Sequence, residues 1–110
     1  MRRFYTSVVE LRQPFTGMIA SEPYECGWAD EAIFFITAEE EGAEFDEIDL
    51  EVQISADGIR WVSEGTRVQL AGPGLAACRV SHFGGWLRVS GTARGRDERA
   101  VLSVRLALKG

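Results

Sequence analysis

The segment from Ile48 to Trp61, IDLEVQISADGIRW, constrains the fold more than any other part of the chain. Ile48, Leu50, Val52 and Ile54 alternate with Glu47, Asp49, Glu51, Gln53 and Ser55. A period of two over nine residues places all the apolar groups on one face of a β-strand and all the polar groups on the other. Ala56-Asp57-Gly58 follows, and Asp-Gly tolerates the positive φ angles of a tight hairpin turn. The sequence therefore predicts a strand over 47–55, a tight turn, and a return strand over Ile59–Ser63.

The rest of the chain repeats this style. Its 110 residues suffice for one domain around a single core, spanning 1–110. Twelve Gly and only three Pro, spread among short apolar runs, suit an all-β domain with many turns. Phe4–Leu11 reads as a strand ended by Pro14, with residues 1–13 forming an N-terminal arm or edge strand. Phe15–Ala20 reads as a short second strand, and residues 21–30 as irregular. Glu31–Ala38 (EAIFFITA) is apolar on both faces, which predicts a central strand covered on both sides. Its β-branched and aromatic residues favour a strand over the rival helix. Glu39–Asp46 is an acidic loop. Strands follow at Gly65–Ala71, Leu75–Phe83, Trp86–Thr92 and Ala100–Lys109, with a charged loop, ARGRDER, over 93–99. Leu102, Val104, Leu106 and Leu108 point inward. About eight short strands at regular spacing predict an antiparallel β-sandwich, jelly-roll-like, with almost no helix.

Charge is distributed unevenly along the chain. Residues 1–55 carry three Arg against thirteen Asp and Glu, whereas residues 56–110 carry nine Arg or Lys against four. Two readings follow. In one, acidic and basic strands lie side by side and form cross-strand pairs. In the other, an acidic surface faces a basic one and drives self-association or docking. A net charge of −5 excludes nucleic acid as the main ligand, because neutralising phosphates requires a basic footprint. No apolar run approaches the roughly 18 residues of a membrane span. Met1-Arg2-Arg3 is basic, but no continuous apolar stretch follows, so a signal peptide is not expected and the location is cytoplasmic or particle-associated. The chain ends are expected to be held by packing, including against neighbouring subunits. Cys26 and Cys78 read as two buried free thiols.

Candidate chemistry is sparse. Ser81 and His82 are adjacent, so in a strand they point to opposite faces and cannot pair as nucleophile and base. There is no G-x-S-x-G elbow, and one His with two distant Cys does not make a zinc site. The chain reads as a non-enzyme without cofactor. Glu39, Glu40, Glu41, Glu44, Asp46 and Asp49 supply hard oxygen ligands, and Glu41, Glu44 and Asp46 are weak calcium candidates without EF-hand spacing. Trp28, Trp61 and Trp86 are the main aromatic mass. They read as core or rim packing, or as an interface hot spot or sugar platform. Leu87 and Val89 point inward, so Trp86 and Arg88 point outward and are interface or ligand-binding candidates with Trp28 and Trp61.

The pair Val52–Trp61 (VQISADGIRW) and Gly85–Val89 (GWLRV) resembles the strand–turn signature of discoidin-like (F5/8 type C, galactose-binding-like) β-sandwiches, V-x-x-S-x-D-G-x-x-W followed by aromatic-x-R-[IV]. It is also similar to small β-sandwich proteins of phage virions and other protein shells. The resemblance covers roughly residues 45–110. The chain is shorter than a discoidin domain and lacks the flanking disulfide of extracellular members. What the resemblance implies is therefore a structural protein that self-associates, with a trimer favoured, and that decorates or cements a larger shell such as a phage-type capsid. The alternative it implies is a carbohydrate-binding module.

Overall fold

A computed structural model describes residues 3–41, 44–95 and 97–110. Among them there is no helix, and nine strands form two antiparallel sheets. The strands are β1 (Phe4–Thr16), β2 (Met18–Ala20), β3 (Tyr24–Glu25), β4 (Glu31–Ala38), β5 (Glu47–Ser55), β6 (Val62–Leu70), β7 (Gly74–Ser81), β8 (Trp86–Arg94) and β9 (Arg99–Lys109). One sheet has the order β1-β9-β4-β7; the other has the order β2-β8-β5-β6, with β3 also on β8. β2 and β3 are two pieces of one interrupted strand along β8. Between them Ser21 keeps contact with β8, its N–H donating to the Val89 carbonyl and its Oγ accepting from the Val89 N–H.

Counting that interrupted strand once, the first strand pairs with the last, the second with the second-last, and so on to the centre. This is a long hairpin rolled into two sheets, the jelly roll. The roll has a consequence for charge. Every strand pairing joins a strand from the first half of the sequence to one from the second half. An acidic half and a basic half are thereby interleaved strand by strand.

The two inner faces enclose the core. Phe34 and Ile36 from β4 meet Leu102, Val104, Leu106 and Leu108 from β9, and opposite them stand Ile48, Leu50 and Val52 from β5 and Leu87 and Val89 from β8. Burying each such side chain stabilises the fold by about 1.5–3 kcal/mol. Cys26 and Cys78 are buried and free, as expected. Burial pushes their thiols up to about 12 and about 11.

Several local expectations are corrected. Pro14 does not end β1, which continues to Thr16 with Pro14 opposite Val101. β1 is an edge strand, where a missing N–H costs nothing in the ladder. It bends at register shifts between Val8 and Glu10 and between Glu10 and Gln13. Phe15 and Thr16 belong to it, and Gly17, at φ 73°, turns the chain into β2. β4 is central but covered on one side only. Ala32, Phe34, Ile36 and Ala38 are buried, while Ile33 is half-buried and Phe35 is 36% exposed. Residues 59–63 and 65–71 are not two strands; Val62–Leu70 is one, kinked at Gly65 (φ 110°). β8 runs on to Arg94 and β9 begins at Arg99, so the strands take in both ends of the expected 93–99 loop, in which Arg96 lies outside the described residues. At the chain ends Arg3 and Gly110 exchange two backbone hydrogen bonds, of 2.7 and 2.9 Å. Met1 and Arg2 lie outside the described residues.

Candidate interaction surfaces

The connection between β5 and β6 is wider than a two-residue hairpin because side chains take over its backbone donors. Ser55 Oγ accepts from the N–H of Gly58 (2.8 Å) and donates to Asp57 Oδ1 (3.0 Å). Asp57 Oδ1 also accepts from the N–H groups of Ile59 and Arg60, each at 2.9 Å. These backbone donors hold the Asp57 carboxyl below the usual carboxylate range. Ser55, read as wet from the alternation, is buried for this reason, and Ile54 is only half-buried. Gly58 (φ 79°) lies against the Trp86 ring, and a Cβ there would meet ring atoms at 3.0–3.4 Å.

Trp28 and Trp61, on connecting segments, and Trp86, at the start of β8, gather at the end of the sandwich that also holds Arg3 and Gly110. Each indole is partly covered by the chain itself. The Arg3 guanidinium sits 4.4 Å from the Trp28 ring centroid, and Arg88 sits 4.4 Å from that of Trp61. Trp86 packs on Gly58 and is half-buried rather than fully outward. Arg88 Nε donates to Gln53 Oε1 at 2.6 Å, and Gln53 Nε2 donates to Glu51 Oε1 at 2.9 Å. Trp61, Arg88, Gln53 and Glu51 thus form one chain of contacts across the five-stranded sheet. The Gln53 bond is the main cause that lowers the Glu51 carboxyl, followed by a bond from Ser63. Trp28 stands apart, in a groove of about 470 Å³ with Arg3, Phe4, Tyr5, Pro23, Tyr24 and Glu25.

The five-stranded sheet pairs its own outward charges. Asp49 on β5 receives Arg67 of β6 at 2.9 Å and Arg94 of β8 at 3.6 Å, and Arg94 also reaches Glu47 at 3.7 Å. Arg67 lies 3.7 Å from Glu51. Here the cross-strand reading of the charge asymmetry holds. Asp49 Oδ1 is nonetheless buried without a hydrogen-bond partner among the described residues.

The four-stranded sheet is different. Its outward rungs run Val8–Arg105–Phe35–Ala77 and Thr6–Ala107–Ile33–Arg79. Leu75 of β7 is 67% exposed. Among the described residues Arg79 and Arg105 have no ion pair. Small residues between long ones leave a hollow of about 440 Å³ beside Ile33, Arg79, Ala107 and Lys109. Glu31 also lines it. No sequence signal weighed above singled out this face; the isolated Arg among apolar positions in β7 and β9 is the pattern that marks it.

At the opposite end from the tryptophans lies the acidic loop, 39–46. Gly42 and Ala43 in it are outside the described residues. Glu44 forms a side-chain hydrogen bond with Asp97, and that bond and the like charge raise the Glu44 carboxyl above its usual range. Glu39 accepts from Ser103 Oγ at 3.0 Å. Among the described residues no three His, Cys, Asp or Glu side chains are placed to hold a metal ion. His82 sits in a left-handed turn (φ 56°) after Ser81 ends β7, and both are exposed.

The fold defines a jelly-roll β-sandwich, and solved structures share it. No protein-family model matches the chain, and no curated protein sequence matches it significantly. SPBc2 prophage-derived protein YomS is similar at TM-score 0.64 and 7% identity, over 100% of this chain and 96% of that one. A Bacillus endospore appendage protein, from a family of disulfide-linked pili, is similar at TM-score 0.61 and 7% identity, over 98% of this chain and 86% of that one. PBSX exported protein XepA is similar at TM-score 0.60 and 10% identity, over 98% of this chain but only 36% of that one. At these identities the likeness shows the fold. The likeness to a prophage-derived protein supports the phage-like β-sandwich of the sequence resemblance, while a discoidin-like kinship is not shown. No helix among the described residues is long and apolar enough to cross a membrane.

Proposed function

We propose that this chain is a non-enzymatic structural protein that self-associates, as a trimer or a higher assembly, and decorates or cements a larger shell such as a phage-type capsid. The observation that carries this reading is the jelly roll itself. It matches YomS over nearly the whole length of both chains, and that protein is prophage-derived. The fold also recurs in a pilus-forming appendage protein. The partly apolar outer face of the four-stranded sheet, where Arg79 and Arg105 have no ion pair among the described residues, gives such a protein a surface to use.

A carbohydrate-binding role is not favoured by the geometry around the tryptophans. Arg3, Arg88 and Gly58 already cover part of each indole. The test is light scattering behind a sizing column, with and without calcium. A stable species of three or more 12.2 kDa chains supports the proposal. A 12.2 kDa monomer that binds glycans on an array overturns it in favour of a sugar-binding module.

A further inference from the structure

We propose that the chains contact one another head to face: the acidic end of one copy docks on the outer face of the four-stranded sheet of the next. This rests on the self-association reading and specifies its contact.

Interleaving the two sequence halves should cancel charge everywhere, yet it does so on one sheet only. Among the charges left without an ion pair in the described residues, two sets stand opposite in sign on separate surfaces. On the four-stranded sheet, Arg79 and Arg105 flank Ile33, Phe35 and Ala107 and have no ion pair among the described residues. At the end where β4 stops and β9 starts, Glu40, Glu41, Asp46 and Glu98 are likewise exposed and without an ion pair among the described residues. There the Glu44 and Asp97 carboxyls share a hydrogen bond, and Arg99 beside them offsets only part of the negative charge. The leftover cations and anions lie on different parts of one molecule. They cannot meet within it, but they can meet between copies.

The face offers more than charge. The hollow of about 440 Å³ has an apolar floor of Ile33 and Ala107, with Arg79 and Lys109 at its rim. Glu31 at the same rim leaves the balance cationic. An apolar centre with a charged rim is the ordinary anatomy of a protein interface. A contact between two different patches is heterologous, so it closes into a ring or extends as a filament. A ring of this kind accommodates the trimer proposed above.

Charge reversal and complementation test the contact, with native mass spectrometry and sedimentation as readouts. One variant carries Arg79→Glu and Arg105→Glu, the other Glu40→Lys and Glu41→Lys. All four positions are exposed or half-buried, so both variants should fold. We expect each variant alone to fall to 12.2 kDa and an equimolar mixture to form complexes containing both. A milder pair, Arg79→Ala with Arg105→Ala, should weaken association without abolishing it. Variants that keep the wild-type mass overturn this contact but leave self-association standing. A wild-type chain that is monomeric throughout a dilution series overturns the self-association reading, and this contact with it.

Discussion

The two outer faces of the sandwich are built from the same alternation of first-half and second-half strands, yet they solve the charge problem differently. On the five-stranded sheet Asp49 stands between Arg67 and Arg94, and Arg88 is tied to Gln53 and Trp61. On the four-stranded sheet the acids of β4 are scarce. Its outward positions are Glu31, Ile33, Phe35 and Thr37, so Arg79 and Arg105 find no carboxylate opposite. Topology brings the halves together, but the residue at each rung decides whether a charge is cancelled or presented. The first face pairs its charges, and the second presents Arg79 and Arg105 without an ion pair among the described residues.

Adjacent phenylalanines on β4 give the largest contrast. Phe34 is 1% exposed, and Phe34→Ala should cost about 3–5 kcal/mol, read from denaturant unfolding. Phe35 points the other way, and Phe35→Ala should cost less than about 1 kcal/mol while weakening self-association. Equal losses would mean the outer face is covered within the monomer.

Next comes Gly91→Ala. A Cβ at Gly91 would collide with the backbone of Asp49 and Leu50, so β5 and β8 would have to separate. We expect a loss of about 3 kcal/mol or more. A stable variant would show that the closed face is looser than the contacts imply.

A smaller effect separates the two sets of charges. Asp49→Asn should cost about 1 kcal/mol, because Asp49 is mostly buried while its Arg67 partner is 55% exposed. That difference should shrink in about 1 M salt, where the screening length is about 3 Å. Arg79→Ala should leave monomer stability within about 0.5 kcal/mol of wild type. A larger loss would reveal a partner for Arg79 inside the fold.

The smallest effects are in pH dependence. Backbone donors hold the Asp57 carboxyl low, and the Gln53 bond chiefly lowers Glu51. Both contribute stability above the unfolded carboxyl range near pH 4, and lose it as pH falls through their lower folded values. Asp57→Asn should flatten the acid limb of a melting-temperature profile. Glu44 has the opposite sign, because its raised carboxyl disfavours the folded state as pH rises. Asp97→Asn should therefore raise the melting temperature slightly at pH 7 and leave it unchanged near pH 3.

Much of this fold was legible in the sequence because burial on one face imposes a period of two. Ile48, Leu50 and Val52, and the inward leucines of β9, follow that rule without exception. The sequence pattern misleads where the deciding partner is distant or is a side chain. Pro14 looked like a stop because edge position is a tertiary property. Ser55 looked wet because its hydroxyl bonds into the turn that follows it. Ile33 and Phe35 looked buried because an apolar outer face reads like a covered one. Trp28, Trp61, Trp86 and Arg88 are the candidates that the sequence offers, and the three indoles lie toward one end of the sandwich. The four-stranded face was missed because its character depends on which rungs lack an acid, and register cannot be read from a single strand.

The most direct measurement is an amide NMR dilution series of the wild-type chain, which asks where copies touch. We expect concentration-dependent shifts in 31–38, 75–81 and 101–109 and at the acidic end, with 47–55, 62–70 and 86–94 unmoved. Shifts centred on Glu51, Arg67 and Arg88 would contradict the division of roles between the two faces.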